Sequence, residues 1–475
     1  MPIVIATAML VAASALTASR YARIWAAEGN PAPPLAQATT PLGAKVPVIA
    51  TIPMPPGFIS EGWPALWFQG GELAVIGRQS GRIIVLGFSG IDFQQRRVLA
   101  PGDGPDERDR VILDLAENPK QTTLATAIGD PEDGHIDVTV RNVSEDQPAR
   151  QLARIEGRFS AAGLSWIDFA TLALGLVPQP PSPEATPTSG SQASPTPTPA
   201  RAAVAAGLYA VSLHRGWPVT KINLHCARPV DFTHTVWSPD GRYAIVDSAA
   251  PPPILIDRIS LECKDLNIPA GQRFRLMGWN QNSDRFLYAA APAGNYLNGL
   301  SGFFEYDLGS GQSRMIAAPA AAAIYIQGGT IAALGNRNLN PGLIAKSPDM
   351  LLAAEIALID PHPSRIVIAP LGFNTRAVTL LNGSLAYSRI AEELAIQLFL
   401  PGAGGDIPVI VSFFPQTLKA RPVAVAKAGS ILSVSWSPLG DLLAVLDASA
   451  APPVLTVLSP PLFGAQGGSG GLRVQ

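Results

Sequence analysis

The peptide Trp237-Ser238-Pro239-Asp240-Gly241 returns near the C-terminus as Trp436-Ser437-Pro438-Leu439-Gly440. Each copy leads into a short apolar run, Tyr243-Ala244-Ile245-Val246 in the first and Leu442-Leu443-Ala444-Val445 in the second. Proline presets φ for a tight turn and glycine accepts the positive φ that closes it, so each copy reads as strand, turn, strand. Trp67 and Trp166 align with these two without gaps, reaching Leu73-Ala74-Val75 and Leu172-Ala173-Leu174, and Trp279 aligns with one extra residue. The tryptophan spacings are 99, 71, 42 and 157 residues, which suit a repeat of about 40–50 residues, the size of a four-stranded propeller blade.

Alternation and turn residues fill in the remaining strands. Eight candidate units result, at about 58–100, 108–156, 164–226, 232–268, 273–318, 321–370, 373–427 and 430–458. Units six and seven lack the tryptophan, so seven is the rival count. The seventh is expected to use Ala377–Leu381 as its first strand. The eighth has three strands of its own, and Lys45–Ile52 reads as a lone strand able to supply the fourth, which would leave no exposed edges. With 44 glycines, 46 prolines and 15% charged residues, the composition favours short strands and turns over long helices. The expected fold class is all-β: a single β-propeller of four-stranded antiparallel blades preceded by an N-terminal apolar helix.

Trp237–Asp247, with Trp436–Asp447 and the partial copy Glu117-Asn118-Pro119-Lys120-Gln121, resembles the repeats of TolB-like and WD-repeat-like bacterial propellers. The resemblance implies a propeller over about 45–463, with the tryptophan packed between blades and Pro-Asp-Gly forming the first hairpin turn. Trp67, Trp166, Trp237, Pro239, Asp240, Gly241, Trp279, Trp436, Pro438 and Gly440 are therefore read as structural repeat positions, and no catalytic or cofactor-binding residue is assigned.

Pro2–Ser19 carries no charge, and at 1.5 Å per helical residue eighteen residues span roughly the hydrocarbon core. Residues 1–25 are read as a signal peptide or membrane anchor. Ala13-Ser14-Ala15 offers a small-residue cleavage site, whereas Arg20 and Arg23 after the apolar run favour a cytoplasm-facing anchor. Residues 26–44 read as a flexible tether and 464–475 as a Gly-rich tail. Residues 177–205, rich in Pro, Ser and Thr, read as a disordered loop within the third blade, because the segments on either side match its strands. Cys226 and Cys263 belong to no CxxC pair, and the strand assignment places them at opposite faces; whether they pair is left open.

The chemistry is sparse. His135, His214, His225, His234 and His362 show no metal-binding spacing. The acidic loops Asp103–Asp109 and Asp130–Asp137 gather the carboxylates that Ca²⁺ takes, without EF-hand spacing. Gly467–Gly471 matches a nucleophile elbow but lacks the flanking strand and helix. A net charge of −2 gives no electrostatic case for nucleic acid. The reading is a noncatalytic scaffold, exported or membrane-tethered, that binds a protein or a cell-envelope polymer through a loop face. The competing reading is a propeller hydrolase or lactonase-like enzyme with a metal in its central channel.

Overall fold

A computed structural model describes residues 46–460, apart from 61–62, 91, 101–110, 131–133, 144–147, 158, 179–205, 215–217, 248–251, 269–271, 293–301, 318–319, 337, 340–343, 345 and 362–363. The fold is an all-β, eight-bladed β-propeller, each blade an antiparallel sheet of four strands. Eight sheets replace the rival count of seven. The expected N-terminal helix lies outside the described residues. Among those described, no helix is long and apolar enough to cross a membrane.

Two compact units divide the chain, Ile52–Asn267 and Met1–Thr51 with Ile268–Gln475. The first holds blade 1 (Leu66–Trp67, Leu73–Gln79, Arg82–Ser89, Gln95–Ala100), blade 2 (Val111–Glu117, Thr123–Asp130, His135–Asn142, Arg150–Glu156), blade 3 (Phe159–Asp168, Thr171–Pro178, Gly207–Ser212, Thr220–Ile222) and blade 4 (Thr235–Trp237, Tyr243–Val246, Ile254–Asp257, Glu262–Asp265). A short extra strand, Phe58–Ile59, also pairs with the second strand of blade 1. The other unit holds blade 5 (Gln272–Trp279, Arg285–Pro292, Gly302–Asp307, Gln312–Ala317), blade 6 (Ala322–Tyr325, Ile331–Gly335, Leu351–Pro361, Ser364–Arg376), blade 7 (Ser384–Ser388, Glu393–Leu400, Ile407–Phe414, Lys419–Val425) and blade 8 (Leu432–Trp436, Leu443–Asp447, Val454–Leu458). The fourth strand of blade 8 is Val48–Pro53, from the other end of the chain.

The strand sequences follow from how each strand is covered. Middle strands such as Glu393–Leu400 and Ile407–Phe414 are buried on both faces for most of their length, and they read as continuous apolar runs. Last strands such as Arg150–Glu156 alternate exposed and buried residues. Apolar clusters fill the seams between consecutive blades: Leu164, Trp166 and Leu172 pack on Ala125 and Val138 between blades 2 and 3, and Trp237 and Ala244 pack on Ala173 and Leu208 between blades 3 and 4. The second and third strands of blade 3, which flank residues 179–205, pair directly with Leu176 opposite Gly207.

Two expectations are corrected. Ala377–Leu380 is one turn of α-helix, not a first strand, because Ala377 and Leu380, three apart, bury together and Asn382 and Gly383 close the turn onto Thr379 and Leu380. Blade 7 is completed instead by Lys419–Val425. Cys226 and Cys263 form a disulfide, with Cα atoms 4.7 Å apart. The last strand of blade 3 ends at Ile222, well before Cys226, and the chain then runs along the free edge of blade 4. There His225 forms a parallel bridge with Glu262, and its N–H donates to the Leu261 carbonyl at 2.8 Å. Arg228 extends this strap with an ion pair to Asp265 at 3.2 Å.

Candidate functional site

The eight blades share one turn, between their first and second strands, and its register aligns residues whose sequences do not. The cross-strand pairs are Trp67–Leu73, Glu117–Leu124, Trp166–Leu172, Trp237–Ala244, Trp279–Phe286, Tyr325–Ile331, Tyr387–Leu394 and Trp436–Leu443. Blades 6 and 7 thus carry tyrosine where the others carry tryptophan. Blade 2 carries Glu117.

The next residue is buried in every blade: Phe68, Asn118, Ile167, Ser238, Asn280, Ile326, Ser388 and Ser437. Where it is Ser or Asn, its side chain ties the turn. Ser238 accepts the Tyr243 N–H at 3.0 Å and donates to Asp240 at 2.6 Å, and Asp240 also accepts the Arg242 N–H at 3.0 Å. In blade 8 the counterpart of Asp240 is Leu439. Ser437 donates instead to Asp441, two residues on, at 2.7 Å. Asn280 uses Asp284 in the same way at 2.5 Å. The carboxylate moves along the chain while the hydrogen bond persists.

Gly241 and Gly440 both have positive φ, 68° and 71°. A Cβ on Gly241 would collide with the Ile167 carbonyl of blade 3, and one on Gly440 with Ser388 and Ala391 of blade 7. Pro239 and Pro438 occupy the corners ahead of them. Trp166, Trp237 and Trp436 pack towards the preceding blade. Trp166 donates from Nε1 to the Ala116 carbonyl at 3.1 Å, whereas the buried indole nitrogens of Trp237 and Trp436 have no acceptor. These residues are wedges and turn formers spread over different blades, and the fold gathers none of them into a shared cleft.

Two acids on the first strand of blade 2 depart from the scheme. Asp114 accepts the Leu164 N–H of blade 3 at 2.6 Å, and burial raises its carboxyl above the usual range against that hydrogen bond. Glu117 lies on the opposite face of the strand, with Leu115, which packs against Phe68, Ala74 and Leu124 in the seam with blade 1. Its Oε1 is buried without a partner, and burial pushes the carboxyl up to about 7. The aligned turn Glu117-Asn118-Pro119-Lys120-Gln121 carried this signal in the sequence, once Glu117 is placed opposite Trp237.

A cavity of about 1020 Å³ forms an open groove between the last strand of blade 7 and the sheet of blade 8. Among the described residues its walls include Val46, Val48, Val423, Val425, Val454 and Leu458; Lys427 and Asp447 are the charged ones, and none of those described is aromatic. Asp447 is already engaged by Ser430 at 3.1 Å and Ser449 at 2.8 Å. Val48 and Val425 remain about half exposed, at 57% and 49%. Sequence reading missed this groove because Lys419–Val425 had not been recognised as a strand.

Among the described residues, no group of three or more His, Cys, Asp or Glu is arranged to hold a metal. Asp103–Asp109 lies outside the described residues, as does His362. Asp137 of the second acidic loop is taken by Arg154 at 2.8 Å and Gln151 at 2.6 Å, with His135 at 3.5 Å. His225 lies on the strap of blade 4 and His234 in a 3-10 turn ahead of that blade's first strand. No protein-family model matches the sequence, and no curated protein matches it either.

Among solved structures, the C-terminal WD40 domain of Sif2 is similar at TM-score 0.49, with 9% identity covering 88% of this chain and 99% of that one. Kuenenia stuttgartiensis hydrazine synthase is similar at TM-score 0.42, with 13% identity over 86% of this chain and 96% of that chain. Prolyl oligopeptidase B from Galerina marginata is similar at TM-score 0.47 and 12% identity; the match covers 82% of this chain and 56% of the oligopeptidase.

Proposed function

We propose that the protein is a noncatalytic binding module that seats an extended apolar segment of a partner polypeptide in the groove beside blade 8. The groove's chemistry carries this reading. At about 1020 Å³ it sits at the upper end of the ligand-pocket range, about 300–1,000 Å³. Aliphatic walls favour burial of alternate apolar side chains. Sugar rings stack on aromatic faces, which the described walls lack, so a peptide fits better than an envelope polysaccharide. Val48–Thr51 pairs with the third strand of blade 8 on one edge, and on the other edge with no described strand. An added strand has backbone groups to meet there. The one carboxylate on the wall, Asp447, is occupied by serines, which supports binding over hydrolysis.

The reading places the protein outside the reducing cytosol. The Cys226–Cys263 bond supports an oxidising compartment, and Pro2–Ser19 supplies the apolar stretch that export or tethering needs. A fluorescein-labelled decapeptide of alternating Val and Thr tests the groove by anisotropy. Binding is expected to fall at least tenfold in Val425→Lys, which places a charge on the wall at an exposed site. Unchanged peptide affinity in that variant, or tight binding of a β-glucan oligosaccharide in place of the peptide, overturns the assignment.

A further inference from the structure

We propose that the seam between blades 1 and 2 is a proton-operated joint, closed while Glu117 is protonated and loosened when it ionises. The position is the argument. In blades 3, 4, 6, 7 and 8 the residue at this point of the first strand is Trp or Tyr, packed in the apolar cluster shared with the preceding blade. In blade 2 it is Glu117, on the face it shares with Leu115, with Oε1 buried and unpartnered. A neutral carboxyl is tolerated there as a small polar group, but a carboxylate is not, since no charged group among the described residues offsets its lost hydration.

No charged group among the described residues around it acts on its carboxyl. On blade 2 the same face carries Arg141, opposite Leu124, together with His135, Asp137 and Arg154, and Asp137 is held by Arg154. Lys120, in the turn, lies over the Phe169 ring of blade 3 at 4.2 Å. Blade 1 carries Glu72, Arg78, Arg82, Asp92, Arg96 and Arg97, none of which contributes to the raised carboxyl; burial alone does. At the turn the seam is crossed by a backbone bond, Gln69 N–H to the Gln121 carbonyl at 2.8 Å, and beside it Phe68, Ala74, Ile112 and Leu124 pack together, the contacts that ionisation works against.

The direction follows from linkage. The closed seam holds the proton up to about pH 7, whereas an exposed glutamate releases it near 4.5. Opening is therefore rarest below 4.5, grows by about tenfold per pH unit up to about 7, and levels off above that, a few-hundredfold in all. Hydrogen exchange of the full chain, corrected for intrinsic rates and followed at Leu66–Trp67 and Leu115–Asn118 from pH 4 to 8, reads this directly. Wild type is expected to show the rise, and Glu117→Gln, which cannot ionise, is expected to lack it while Trp237-side amides behave alike in both. Parallel profiles for the two proteins overturn the proposal. Should Glu117→Gln fold poorly, infrared titration of wild type decides: a carboxyl band persisting to about pH 7 supports the joint, and complete ionisation of all carboxyls by about pH 5 sinks it.

Discussion

Blades 2 and 4 make the same turn with different means. In blade 4 the wedge is Trp237, 7% exposed, and the turn behind it is tied by Ser238 and Asp240 around Gly241. In blade 2 the wedge position is held by Glu117, the tie is Asn118, whose Oδ1 accepts the Lys120 N–H at 2.8 Å, and the left-handed corner is Gln121 at φ 55°. Asn118 also donates to the Phe169 carbonyl of the next blade at 3.1 Å. The backbone path is the same. In these two blades the turn is held by a short hydrogen-bonding side chain after the wedge position and a residue at positive φ. The aromatic wedge is a separate contribution, made to the seam and not to the turn.

Removing the wedge breaks the comparison most strongly. Trp237→Ala is expected to cost about 3–5 kcal/mol, as for other buried large-to-small changes. Glu117→Ala at pH 5, where the carboxyl is neutral, is expected to cost under about 1 kcal/mol, because a partly exposed acid contributes little apolar burial. Denaturant midpoints of the two variants check the ratio. Equal losses would mean that Glu117 packs as a wedge after all, through its methylenes.

The corner comes next. Gly241→Ala places a Cβ on a left-handed residue, worth about 1–2 kcal/mol by itself, and pushes it into the Ile167 carbonyl of blade 3. A loss of about 2–3 kcal/mol is expected, larger than backbone strain alone, with the excess measured as faster exchange at the blade 3 edge of the seam. A loss confined to about 1 kcal/mol would show that the two turns separate without consequence.

Much of this was legible in the sequence, and the boundary falls where side-chain chemistry is conserved but residue identity is not. Trp237-Ser238-Pro239-Asp240-Gly241 announced the blade because every element of the turn is in its usual place. Tyr325 and Tyr387 stand where the tryptophan signature was sought, so alternation alone located blades 6 and 7 and seven stayed a rival count, although either ring fills a seam. Asp441 and Asp284 concealed the tie because they reach the same serine or asparagine from the far side of the turn. The strand Lys419–Val425 was passed over since Lys419, Arg421 and Pro422 mask its alternation, and with it went the groove. Cys226 was misplaced because the strand before it is three residues long and the strap that follows has no hydrophobic period.

Gln121 offers the smallest and most discriminating test. It holds φ 55° without being glycine, at the position occupied by Gly241 in blade 4 and Gly440 in blade 8. Its backbone is engaged at both ends: the N–H donates to the Asn118 carbonyl at 2.6 Å and the carbonyl accepts from Gln69 at 2.8 Å. Glycine at this site relieves the left-handed penalty but gives the unfolded chain more freedom, two effects of about 1 kcal/mol each and opposite sign. Because neighbours fix the conformation from both sides, relief should win, and Gln121→Gly is expected to raise stability by about 0.5 kcal/mol at pH 5. At pH 8 the same substitution should gain less, since a loosened seam no longer enforces the strained corner. A gain independent of pH would separate the turn from the seam and leave Glu117 acting on the seam alone.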